Sequence, residues 1–174
     1  GQPLKNETVK VTGDGFAPNE GATYTFTGSQ LDKGSSDNSF DYTLQPNTKA
    51  KNYEITKETG TLTVTPITTP IVITADSSTT PYDGTPLKGN GFTNTPGVLV
   101  NGDILTATVT GSQTDAGESP SVITGYKVTR NGKDITDNYT VALPEPGTLT
   151  VEKRKVTLTS GDGSKTYDVT PLTN

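Results

Sequence analysis

The chain has 174 residues, a net charge of −5 and a pI near 4.7, and is only 28% hydrophobic and 6% aromatic. It contains no Cys, His, Met or Trp, which excludes disulfides, thiolate metal sites and cysteine nucleophiles and removes the usual acid–base side chain near neutral pH. The acidic balance argues against nucleic-acid binding, and no run approaches the roughly 20 apolar residues that span a bilayer.

Thr accounts for 35 residues. Its branched β-carbon favours strands, and its hydroxyl suits a water-facing side. Alternation of Thr with apolar residues predicts strands at 23–27, 61–65, 104–110, 148–151 and 155–159. The best helical candidate is short, at residues 98–100. Asn101-Gly102 and Asn131-Gly132 read as type I′ hairpin turns, which need positive φ at both central residues. The 19 Gly and 12 Pro punctuate the rest, so the expected fold is all-β.

The order of these elements repeats. Tyr82-Asp83-Gly84-Thr85-Pro86-Leu87 returns as Tyr167-Asp168-Val169-Thr170-Pro171-Leu172, and its tail opens the chain as Gly1-Gln2-Pro3-Leu4. Thr27-Gly28-Ser29-Gln30 matches Thr110-Gly111-Ser112-Gln113, Asn52-Tyr53 matches Asn138-Tyr139, and Gly60-Thr61-Leu62-Thr63-Val64 matches Gly147-Thr148-Leu149-Thr150-Val151. Landmarks spread along a period of about 85 residues indicate a unit copied in tandem. A Gly start with no Met anywhere predicts a slice of a longer array.

Residues 71–154 resemble the MBG-type repeat of bacterial secreted and cell-surface proteins. The matching pieces are Ile73-Thr74-Ala75-Asp76, Thr80-Pro81-Tyr82-Asp83-Gly84, Leu99-Val100-Asn101-Gly102-Asp103-Ile104-Leu105, Asp115-Ala116-Gly117, Asn138-Tyr139-Thr140-Val141 and Gly147-Thr148-Leu149-Thr150-Val151. Asp115-Ala116-Gly117 lacks the Thr-Tyr that follows in that family. The first copy is looser, with Asn19-Glu20-Gly21 in place of Asn-Gly-Asp. The resemblance implies tandem β-grasp-like modules, with an Ig-like β-sandwich as the alternative. It further implies an adhesin-like protein of the bacterial cell surface or cell wall, and it brings no catalytic residues.

Residues 1–70 are therefore expected to form a first β repeat without its opening strand, 71–154 a complete second repeat, and 155–174 the opening strand of a third. The junctions fall at 65–70, a Pro-bearing spacer, and at 152–154. A second phasing, with boundaries after Asp83 and Asp168, makes both copies complete as permuted units.

The Tyr-Asp motif invites a ligand reading, but a structural turn accounts for it better. Asp83 or Asp168 caps the turn, Gly84 takes the strained φ, and Pro86 or Pro171 fixes the exit, with Tyr82 and Tyr167 leading in. Tyr53 and Tyr139 are expected to bury their rings with the hydroxyl finding a polar partner. Asp14, Asp76, Asp103, Asp137 and Asp162 are too dispersed for a calcium cage, so no metal or cofactor is expected. Asn6-Glu7-Thr8 and Asn138-Tyr139-Thr140 match the glycosylation pattern by chance. A self-formed isopeptide or ester crosslink has no trio of residues to support it.

The function expected is a non-catalytic stalk or spacer with an adhesive role, and the alternative is a module that binds carbohydrate or host protein. Its partners would be neighbouring repeats and a host or cell-surface glycan or protein, with no nucleic acid and no membrane insertion. The missing opening strand also predicts that residues 155–174 complete the sheet of another molecule, head to tail.

Overall fold

A computed structural model describes residues 2–173 and shows an all-β chain, 43% strand and 3% helix. Gly1 of the opening motif and Asn174 of the tail lie outside the described residues. In the first copy, β1 (Ala22–Phe26) pairs antiparallel with β3 (Phe40–Leu44), and β2 (Gly34–Asn38) with β4 (Gly60–Val64).

After β4 come β5 (Ile67–Ile71), β6 (Ile73–Ala75) and β7 (Ser78–Pro81). The segment 65–70 is thus mostly strand instead of spacer, because β5 finds a parallel partner in β14 (Tyr139–Val141). Next come β8 (Leu87–Lys88), β9 (Phe92–Asn94), β10 (Ile104–Thr110) and β11 (Ser112–Gln113). The long β12 (Gly117–Arg130), β13 (Lys133–Asp134) and β15 (Gly147–Glu152) complete the set.

The 14-residue β12 organises this copy. One half pairs with β10 and the other with β15, whose far edge carries β7 in parallel. The first copy has the same plan with the long strand broken at Ser39 into β2 and β3. Even small details recur. Gln30 Nε2 donates to the Asp32 carbonyl at 2.7 Å, and Gln113 Nε2 to the Asp115 carbonyl at 2.7 Å. Ser36 Oγ donates to Ser29 O as Ser119 Oγ does to Ser112 O.

The cores are unequal. Ile71, Ile73, Val128, Ile135 and Tyr139 form a buried cluster in the second copy, with Leu149 and Val151 buried beside it. Among the described residues of the first copy, Leu62 is the one buried large hydrophobic side chain. Strands β5 to β7 supply Ile71 and Ile73, and they pair with β9, β14 and β15, all downstream.

Three expectations are corrected. Residues 155–159 form no strand and are exposed, since no strand among the described residues lies beside them. Alternation makes a strand only where a partner takes up the backbone groups. Residues 98–100 are not helical; Val98, Leu99 and Val100 lie in a loop and pack on the core. Asn101-Gly102 makes a turn closed by Asp103 N–H to Val100 O at 3.0 Å, but only Gly102 has positive φ, so it is no type I′ hairpin. Asn131-Gly132 does have positive φ at both residues and joins β12 to β13. Two 3-10 turns that the sequence did not signal, Ala50–Asn52 and Thr136–Asn138, lead into Tyr53 and Tyr139.

Candidate functional site

The Tyr-Asp motif follows β7, on the loop to β8. Asp83 Oδ1 accepts the Thr85 N–H at 2.8 Å and the Thr85 hydroxyl at 2.7 Å, while Gly84 takes φ +85° and Pro86 follows. The Thr85 hydroxyl, then its N–H, hold the Asp83 carboxyl below its ordinary range. Asp168 makes the same pair of bonds to Thr170 in the exposed tail, and Val169 takes φ +60°. Tyr82 is half-exposed and Tyr167 exposed. Pro171 follows the second turn, and no hydrogen bond or ion pair joins the two motifs among the described residues.

The tyrosines of the Asn-Tyr landmarks do different work. Tyr139 is buried; its hydroxyl donates to the Asp103 carboxylate and accepts the Val100 N–H at 3.0 Å. Tyr53 repeats this, donating to Glu20 and accepting the Ala17 N–H at 3.1 Å. Each tyrosine thus ties the loop before the first long strand to the chain before the closing strand. In the second copy Arg130 adds a two-pronged ion pair to Asp103, at 2.5 and 2.8 Å. Burial pushes the Asp103 carboxyl up, but the bonds from Arg130 and Tyr139 outweigh it and hold the group low. Burial, then Asp103, push the Tyr139 hydroxyl up.

A second cluster joins the copies. Asp32, in the loop before β2, accepts from Lys133 Nζ at 2.5 Å and from Asn138 Nδ2 at 2.9 Å, and Asn138 Oδ1 accepts the Lys33 N–H at 2.6 Å. These residues line a cleft of about 380 Å³. Lys133 first, then Asn138, hold the Asp32 carboxyl below its ordinary range. Chemically the cluster is a saturated clasp: Asn138 spends both ends of its amide on the neighbouring copy.

The first copy also carries a cavity of about 500 Å³, whose lining includes Val9, Phe16, Tyr24, Phe40, Tyr42 and Tyr53. Two edge-on ring pairs, Phe16–Tyr53 and Tyr24–Phe40, form part of its wall.

Asp32, Lys133 and the carboxylate partners of the tyrosines escaped the sequence reading. The available signal was that Glu20 and Asp103 hold the same place in the repeat. Among the described residues no group of three acidic, His or Cys side chains could hold a metal ion, and no helix is long and apolar enough to cross a membrane. Comparison with family models, curated proteins and solved structures found no match for this chain.

Proposed function

We propose that the chain is a mechanical spacer, a non-catalytic pair of tandem modules in a stalk of a bacterial cell-surface protein. The observation that carries this reading is the parallel pairing at the ends of the second copy. The opening strands β5 and β7 run parallel to β14 and β15 near its end. Tension applied along the chain draws parallel partners in opposite directions, so their hydrogen bonds are loaded together in shear instead of being unzipped singly. The Asp32 clasp supports the same reading, because it restrains one copy against the next across a two-residue connection from β4 to β5.

The likeness of residues 71–154 to the MBG-type repeat supports a place on the cell wall, exposed to the medium. The parallel β15–β7 pair favours a β-grasp-like module over an Ig-like sandwich of two antiparallel sheets. Pulling single molecules by their ends tests the function. A spacer gives a distinct force peak for the second copy, and extension without a peak overturns the reading.

A further inference from the structure

We infer that β10 is a lateral seam, at which two molecules of this chain pair antiparallel about a two-fold axis through Ala107 and so join their second-copy sheets side by side. β10 is an outer strand of the five-stranded sheet: β12 takes one of its edges, and no strand among the described residues takes the other. Its counterpart in the first copy, β1, lies the same way, paired with β3 alone. The first copy has a neighbour after it and the second a neighbour before it, and neither neighbour covers this edge. The open edge is therefore part of the plan of the module.

Free edges usually carry a device against pairing. β7, the other outer strand of the same sheet, has four residues and ends in Pro81, which has no N–H to offer. β10 has seven residues with neither charge nor Pro, against five residues in β1. The bulge in this sheet spares β10 as well: the register shifts between Thr108 and Val109, but the extra residue, Thr124, belongs to β12. Asp103, just before the strand, is taken up by Arg130 and Tyr139. Lys127 stands opposite Thr106 on β12, one strand back from the edge.

The strand also matches itself. Ile104-Leu105-Thr106-Ala107-Thr108-Val109-Thr110 has the same pattern from either end, as an interface between identical patches requires. An antiparallel pair centred on Ala107 sets Thr106 opposite Thr108 of the other molecule, and Leu105 opposite its Val109. Thr106 and Thr108 are exposed, Val109 is half-buried, and Leu105 and Ala107 pack towards the core. In this register polar meets polar on the outer face, apolar meets apolar on the inner face, and no like charges meet across the seam. In β1 the place of Ala107 is held by Tyr24, so the small residue on the axis is particular to β10. One strand pair is a small contact beside the roughly 1,200 Å² of the smaller stable interfaces, so the pairing is weak and concentration-dependent.

Sedimentation equilibrium of the full chain from micromolar to millimolar concentration tests the proposal, and the average mass is expected to rise towards twice that of the chain. The double variants Thr106→Lys/Thr108→Lys and Thr106→Glu/Thr108→Glu set like charges across the seam at exposed positions. Each should stay folded by circular dichroism and remain monomeric, while an equal mixture of the two should form dimers. The chain has no Cys, so the register can be read directly. Under mild oxidation Thr106→Cys and Thr108→Cys chains should crosslink when mixed, and neither should crosslink alone, because diagonal positions are too far apart. Three outcomes overturn the proposal. One is a wild type that stays monomeric at millimolar concentration. Another is association that survives in both charged variants, which would assign it to another surface such as β1. The last is crosslinking of the single Cys variants alone as readily as in the mixture.

Discussion

The Tyr139 hydroxyl donates to the Asp103 carboxylate while accepting the Val100 N–H, and Tyr53 stands in the same relation to Glu20 and Ala17. One interaction, made by residues of the same repeat position, closes each module. Its consequence is a stability that depends on a polar clasp as much as on a thin apolar core.

Replacing Tyr139 by Phe leaves the Val100 N–H without its partner and the buried Asp103 Oδ2 with Arg130 as its one remaining side-chain donor. The expected loss is about 1–3 kcal/mol, read from urea unfolding of the second copy. Tyr53→Phe should cost less, because the first-copy clasp is more open to water, which can replace the lost bond.

Asp103 gives the clasp a pH dependence. Its folded pKa lies below the ordinary value of 3.8. Its stabilisation is therefore present above that value and is lost as pH falls through the depressed one. Urea midpoints followed from neutrality down to pH 2 should drop in this acid window for the wild type. Asp103→Asn should be less stable at neutral pH and show a shallower acid drop.

Gly147→Ala drives a methyl into the carbonyls of Ala75 and Asp76. A loss of about 1–3 kcal/mol is expected for such overpacking, measured by thermal unfolding. Gly60→Ala should leave the melting temperature of the dilute protein unchanged, since its site is open.

Asp32→Ala should hardly change global stability, because exposed ion pairs contribute at most about 1 kcal/mol. Its effect should appear between the copies. A pair of dyes, one on each copy, should report a broader distance distribution in the variant than in the wild type.

Much of the strand pattern was legible because period-two alternation is local: residues 104–110 were bounded from Thr spacing alone. The tail shows the limit of that logic. Residues 155–159 alternate as well as β15 does, yet form no strand without a partner beside them. Asn101-Gly102 carries hairpin chemistry, but the chain before it packs as a loop on the core and offers no opposing strand. The 3-10 turns are too short to leave a periodic trace. The clasps were hidden for another reason. Asp32 meets Lys133 and Asn138 across more than 100 residues, beyond any local spacing, and Glu20 holds the repeat position of Asp103 with a different side chain, so identity did not mark that pair.

The claim beneath all of this is that two like modules are joined end to end and held in a stalk. Small-angle X-ray scattering of a version ending at Glu152, which removes the unpaired tail, tests it most directly. A single compact body of that length would have a radius of gyration of about 15 Å. We predict a clearly larger radius and a distance distribution with a second maximum at the spacing between copies. A single symmetric maximum with a radius near the compact value would contradict the account.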